Sequence, residues 1–342
     1  VQNANTQLAL KLVRESEQLQ LGVYAIAPLE NIVVELSAEQ QPLYETQLTL
    51  KPGESWRHTL PEHDAGRLTI KVKSADKQLL LDYHEHITQQ APLPEPASAP
   101  AMPEEIHNDD ELYFIGQHLE QYNHASRYAA DYYRRAIALD PQDYRNNVAL
   151  GTLAFNCADW GLAEQCARAA LLRAHRLNKN PRDGEASMLL GSSLERQGDE
   201  AGAWDHYYKA SWSGNCRDAA WWALARLAMK RGDTADALEK VNTSLQFNAS
   251  NHLAMGLKAL ALANSGQTKE AQDYIFACLE QYPLSYPLHC ARWMIEPSDE
   301  ARESLLRVTG RRGINGSLLA GWLLSIGQKQ AAKEVLEALD CQ

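Results

Sequence analysis

The chain has 342 residues, a formal net charge of −11 and a hydrophobic content of 45%, which suggests about two domains and is too apolar for a disordered chain. The charge is spread as −4 over residues 1–91, −3 over 92–108 and −4 over 109–342, so no segment carries the basic footprint of a nucleic-acid or anionic-membrane binder. No run approaches the ~20 apolar residues of a membrane helix, and the polar start Val1, Gln2, Asn3, with neither Met nor a signal-peptide pattern, reads as a fragment or processed product.

Residues 1–90 alternate apolar and polar side chains in short runs. Leu8, Leu10 and Leu12 set the pattern, followed by Leu19, Leu21 and Val23, the β-branched run Ile32 to Leu36, Leu48 and Leu50, Leu68, Ile70 and Val72, and Leu79 and Leu81. Turn signals fall at Pro28, Pro42, Pro52-Gly53, Pro61 and Ala65-Gly66. About seven short strands at this spacing predict a sandwich of immunoglobulin or fibronectin type, without the Cys-Trp-Cys core of antibody domains. Near its end, alternation puts Asp82, His84 and His86 on one face. That set suits a metal, but a solvated strand end is the commoner reading, and no zinc-type spacing accompanies it.

Residues 91–108 form a linker. Five prolines fall between Ala91 and Glu105, which exclude helix and central strand and favour an extended, semi-rigid spacer. The acids Glu104, Glu105, Asp109 and Asp110 then suit a helix start.

From residue 109 the period changes. Gly198, Gly232 and Gly266 are 34 residues apart, and Ala203, Ala237 and Ala271 keep the same step. A small residue recurs late in each first helix (Gly116, Gly151, Gly191, Ala225, Ala259, Ala320), and another follows on each second helix (Ala129, Ala163, Ala203, Ala237, Ala271, Ala332). Antiparallel helices nest there only if bulk is absent. Gly198-Asp199, Gly232-Asp233, Gly266-Gln267 and Gly327-Gln328 supply the left-handed residue that stops one helix. Asp140-Pro141 and Tyr282-Pro283 end units.

These positions, repeating in phase, resemble the tetratricopeptide family over residues 109–342. The resemblance implies an all-α right-handed solenoid after the sandwich. It has five regular units (109–143, 144–183, 184–217, 218–251, 252–285), an irregular stretch at 286–312 broken by Pro297, and a last pair from 313. Unit two is longer by six residues near Leu177–Pro181, so its second helix is expected to run on.

In that family the first helix of each pair lines a concave groove. The matching positions are Tyr113, Gln117 and Gln121; Arg145, Thr152, Phe155 and Asn156; Met188, Ser192, Glu195 and Arg196; Trp222, Arg226, Met229 and Lys230; and Leu253, Leu260 and Asn264. Tyr, Trp, Arg and Phe among them suit a binding surface, although packing on a neighbouring domain of the same polypeptide accounts for them equally well. Trp221 reads as a packing aromatic. The family's chaperone-carboxylate clamp needs Lys and Asn where this chain has Tyr113/Gln117, Val148/Thr152 and Met188/Ser192, which excludes that ligand.

Cys157, Cys166, Cys216, Cys278, Cys290 and Cys341 form no C-x-x-C pair and read as reduced thiols of a cytoplasmic protein. No phosphate loop, H-E-x-x-H or G-x-S-x-G occurs. The expectation is a non-catalytic module without cofactor or metal that binds a protein or peptide in the groove, and neither nucleic acid nor membrane. The order of sandwich, spacer and repeats is also similar to the C-terminal part of large bacterial tetratricopeptide proteins with an upstream mutarotase-like sandwich. That resemblance implies the alternative, an accessory portion of a carbohydrate-active or sugar-binding protein whose active site lies upstream.

Overall fold

The computed structural model describes residues 1–15, 18–39, 41–61, 66–86, 98–176 and 178–340; the expectations placed on Ala65, Leu177, Cys341 and residues 91–97 lie outside these. Among the described residues there are eight strands and fourteen α-helices. They fall into two compact units, Val1–Pro94 with Gln272–Leu319 and Glu334–Gln342, and Glu95–Ala271 with Ala320–Lys333.

In the first unit the strands β1 (Asn3–Ala4), β2 (Leu8–Glu15), β3 (Gln18–Ala25), β4 (Leu29–Ala38), β5 (Gln41–Leu50), β6 (Ser55–Pro61), β7 (Leu68–Lys73) and β8 (Leu79–His84) make two antiparallel sheets, ordered β1-β2-β3-β6 and β5-β4-β7-β8. Strand β5 stays beside β4 while β6 crosses to the other sheet, which gives a sandwich of the fibronectin kind. The alternation read from the sequence is the core: Leu8, Leu10, Leu12, Leu19, Leu21, Val23, Ile32, Val34, Leu36, Leu68, Ile70 and Val72 are all buried. Strand β6 was not among the expected runs, because its inward positions are Trp56, His58 and Leu60, with a polar ring in the middle. Register sets Trp56 against Val23 and His58 against Leu21. Tyr44 of β5 stacks on His58 at 4.4 Å and His58 on Trp56 at 5.7 Å, so three rings close the side where the two sheets part. Pro42, expected in a turn, is the second residue of β5, and Pro61 ends β6. Both strands are sheet edges, where a missing N–H costs no ladder bond.

The second unit opens with α1 (Asp109–Tyr122), α2 (Ala129–Leu139), α3 (Tyr144–Asn156), α4 (Trp160–His175), α5 (Glu185–Arg196), α6 (Glu200–Ala210), α7 (Arg217–Lys230), α8 (Thr234–Phe247) and α9 (His252–Asn264). Consecutive helices pair as α1/α2, α3/α4, α5/α6 and α7/α8, and each pair packs on the next through α2/α3, α4/α5, α6/α7 and α8/α9, the solenoid-like stacking of helical repeats. The small residues sit at the crossings. A Cβ on Gly191 would lie 2.8 Å from the Tyr207 ring and 3.2 Å from the Ala203 carbonyl.

The turns share one geometry. Gly198, Gly232, Gly266 and Gly327 have φ between +82° and +91°. Asp159, Asp199 and Asp233 then cap the second helices by accepting from Leu162, Gly202 and Asp236 N–H at 2.9–3.1 Å. In unit two Ala158 takes the left-handed place at φ +63°.

The extra residues of unit two go only partly into helix. At 16 residues α4 exceeds the 14 of α8, but it stops at His175, and residues 178–184 are bends and irregular chain. The spacer is also shorter than its composition implies. Ile106 is buried with α1 and α2, and the Tyr132 hydroxyl donates to the Ala101 carbonyl at 2.8 Å.

The remaining helices are α10 (Thr268–Gln281), α11 (Tyr286–Ile295), α12 (Asp299–Val308), α13 (Gly313–Ser325) and α14 (Lys329–Asp340). The irregular stretch is thus a short pair, α11 on α12. Pro297 ends the turn between them, and Ser298 caps α12 through the Ala301 N–H. No helix of the described residues is long and apolar enough to cross a membrane.

Candidate functional site

The residues assigned to the groove lie on α1, α3, α5, α7 and α9, the first helices of five successive pairs. Many of them contact one another across neighbouring pairs. The Arg145 guanidinium lies 5.0 Å from the centre of the Tyr113 ring and pairs with Asp110. Phe155 packs on Trp160 at 5.0 Å, and the Arg196 guanidinium lies 5.9 Å from the centre of that indole. Met188, half-buried, packs into the cores on both sides of α5.

Glu195 and Arg226 form the strongest of these contacts. Arg226 donates through both terminal nitrogens to the two Glu195 oxygens at 2.6 Å, and the side chains are 14% and 15% exposed. The Tyr207 hydroxyl adds a donor to Glu195 at 2.8 Å. Burial by itself raises the Glu195 carboxyl, but the hydrogen bonds and charge of Arg226, with Tyr207, hold it below the usual carboxylate range. Burial, joined by the nearby acids Glu185, Glu120 and Asp143, raises the Tyr113 phenol.

On α7 the stripe Trp222, Arg226 and Lys230, spaced one turn apart, passes from half-buried through largely buried to exposed. The rest of the helix is packed by α6, α8 and α9, which takes Met229 to 5% exposure and into the core. Met229 is therefore a packing residue, and so is Leu260, 4% exposed on α9. Trp221 packs against the buried cluster of α3 to α7, edge-on to Tyr208, whereas Trp222 stays half-buried outside it. Lys230 pairs with Glu200 at 2.5 Å. Its backbone faces the last turn: a Cβ on Gly327 would lie 3.2 Å from Lys230 Cα.

One row remains open throughout. The thirteenth position of each unit, Gln121, Asn156, Arg196, Lys230 and Asn264, is exposed in all five. Gln117 is exposed as well.

Two wider concavities escaped the sequence reading. One, of about 550 Å³, lies between α10, α11 and α12, with Ile275, Phe276, Leu279, Arg292, Ile295 and Glu296 on its wall. The other is the polar outer face of the β5-β4-β7-β8 sheet, between Glu35, Arg67, Lys71 and His84. Neither follows from a motif, because each assembles residues from separate turns of the chain.

His84 is engaged on that sheet by the Thr69 hydroxyl at 3.0 Å and by Asp82 at 3.1 Å, while His86 turns to the Tyr83 ring. The three are not gathered as a ligand set. Among the described residues, Asp109, Asp140 and Asp143 bring carboxylate oxygens within 4.8 Å of one another. Asp143 is used as the cap of α3, accepting from Asn146 N–H at 2.7 Å, and Asp140 accepts from Arg173 at 2.5 Å.

Residues 3–83 match the family model described as the second domain of YphG-like proteins. Among solved structures, the chain is similar to PilF of Pseudomonas aeruginosa, at 18% identity over 65% of this chain and 96% of that one, TM-score 0.48. It is likewise similar to the C-terminal part of a tetratricopeptide protein from Cytophaga hutchinsonii (13%, 68% and 95%, TM-score 0.47). A third is YrrB, described as a tetratricopeptide protein with an unusual peptide-binding site (14%, 54% and 92%, TM-score 0.45).

Proposed function

We propose that this chain is a non-catalytic interaction module that holds an extended protein segment along the first helices of α1 to α9. The observation that supports this is the row Gln121, Asn156, Arg196, Lys230 and Asn264, exposed once per unit through five units. Amide and basic side chains at a repeating interval match the repeating carbonyls and amides of an extended backbone, which a row of charges of one sign would not. Trp222, half-buried beside the row, supplies an apolar anchor. Arg226 and Glu195 do not serve as ligand contacts, because they saturate each other. Their part is to fix the relative position of the two units that carry the row.

The test is selection from a displayed random-peptide library on the intact chain, followed by titration of the selected peptides against Trp222→Ala and Asn156→Ala/Asn264→Ala. Each variant is expected to weaken binding about tenfold while circular dichroism is unchanged. A library that yields no enriched peptide, or peptides that bind these variants as tightly as the native chain, refutes the reading.

A further inference from the structure

The end of unit two is a basic stretch within an acidic chain. Between Glu164 and Asp183 there are five Arg or Lys residues, at 168, 173, 176, 179 and 182, and no acid. Arg168 and Arg173 are paired with Glu164 and Asp140. Arg176, Lys179 and Arg182 are exposed and have no acidic partner among the described residues.

At the end of α4 the chain folds over the C-terminal end of α6. His175 and Lys179 meet Lys209 and Trp212 around a notch with about 20 Å³ of free volume. Asp183, the one acid on its wall, is exposed and accepts from the Glu185 N–H at 2.9 Å. Trp212, on its wall, is an open apolar face at 56% exposure. Burial first, then the charges of Lys209 and Arg168 against that of Asp205, push His206 below the usual imidazole range.

We propose that this notch docks an acidic segment of a partner protein, one carboxylate entering between Lys179 and Lys209 while an apolar side chain rests on Trp212. The free volume suits one small group and excludes a cofactor-sized ligand. A net charge of −11 repels a long polyanion laid across the surface, whereas a short acidic segment meets chiefly the charges within a Debye length, about 8–10 Å, of the notch. The surface is lined from α4, residues 178–184, Ser187 of α5, Lys209 of α6 and Trp212 just beyond it, and shares no residue with the row Gln121, Asn156, Arg196, Lys230 and Asn264.

The test is fluorescence anisotropy of the full chain with a labelled peptide of Glu-Ser repeats carrying one central Leu. Binding is expected, weakening as salt is raised. It should fall about tenfold in Lys179→Glu/Lys209→Glu and persist in Lys179→Arg/Lys209→Arg, with circular dichroism alike in all three. The proposal is overturned if the native chain does not bind the peptide, if the Glu variant binds it equally well, or if a duplex oligonucleotide or an anionic phosphatidylserine vesicle binds more tightly than the peptide. Trp222→Ala is expected to leave this binding intact, so failure here and failure of the groove reading are separate results.

Discussion

Removing one member of a largely buried, bidentate ion pair leaves the other charge poorly solvated and unpaired. Glu195 and Arg226 are in that position, at 14% and 15% exposure with Tyr207 as third partner. Arg226→Met is expected to cost about 3 kcal/mol in urea unfolding, and Glu195→Gln/Arg226→Met less than Arg226→Met alone. The Glu195 carboxyl is depressed in the folded chain. Its stabilisation is therefore present above the unfolded carboxylate value of ~4.3 and disappears as pH falls through the lower folded value. The residue types at 195 and 226 were legible as inner positions of their units. Their mutual pairing was not, because it joins residues 31 apart whose helices must first be stacked. Met229 failed in the opposite sense: its place in the repeat is an inner one, but α6, α8 and α9 together close over that side of α7.

The helix–turn–helix element was the most legible feature, for a steric reason. A left-handed φ admits glycine with little penalty, so Gly198, Gly232, Gly266 and Gly327 mark the turns directly. Unit two breaks the mark, with Ala158 held at φ +63°. Ala158→Gly is expected to stabilise the chain by about 0.5–1 kcal/mol, the relief of strain outweighing the looser unfolded state, and Gly198→Ala to destabilise it by about 1 kcal/mol. Urea midpoints of the two variants check both signs. Among the strands, β2, β3 and β7 were legible because leucine, isoleucine or valine recurs at every second place, and β4 because of its β-branched run Ile32 to Leu36. Strand β6 was not, because His58 occupies an inward position that only the stacked rings of Tyr44 and Trp56 make acceptable.

At the scale of the whole molecule, acid sensitivity follows from histidines kept neutral by burial. Desolvation is the leading cause that lowers His206, His252 and His289. His289 donates from Nε2 to the Pro283 carbonyl at 2.8 Å, and its Nδ1 faces the Ser304 hydroxyl at 3.1 Å, an arrangement that suits the uncharged ring. Below the unfolded imidazole value of ~6.5 the unfolded chain takes up protons that the folded one refuses, so stability declines as pH falls from there toward the folded values. Urea midpoints followed from about pH 7 to pH 5 should fall, and His289→Gln should flatten the decline. The clasp between Glu195 and Arg226 carries a different lesson, about portability. Unit one already holds its counterpart of two members, with the Tyr133 hydroxyl donating to Glu120 at 2.5 Å, but Thr152 occupies the place that arginine fills in unit four. Thr152→Arg would graft the missing member and rivet the first two pairs together. Glu120 is open to solvent, so the gain should be about 0.5 kcal/mol, enough to let an engineer stiffen one end of the array and leave the other untouched.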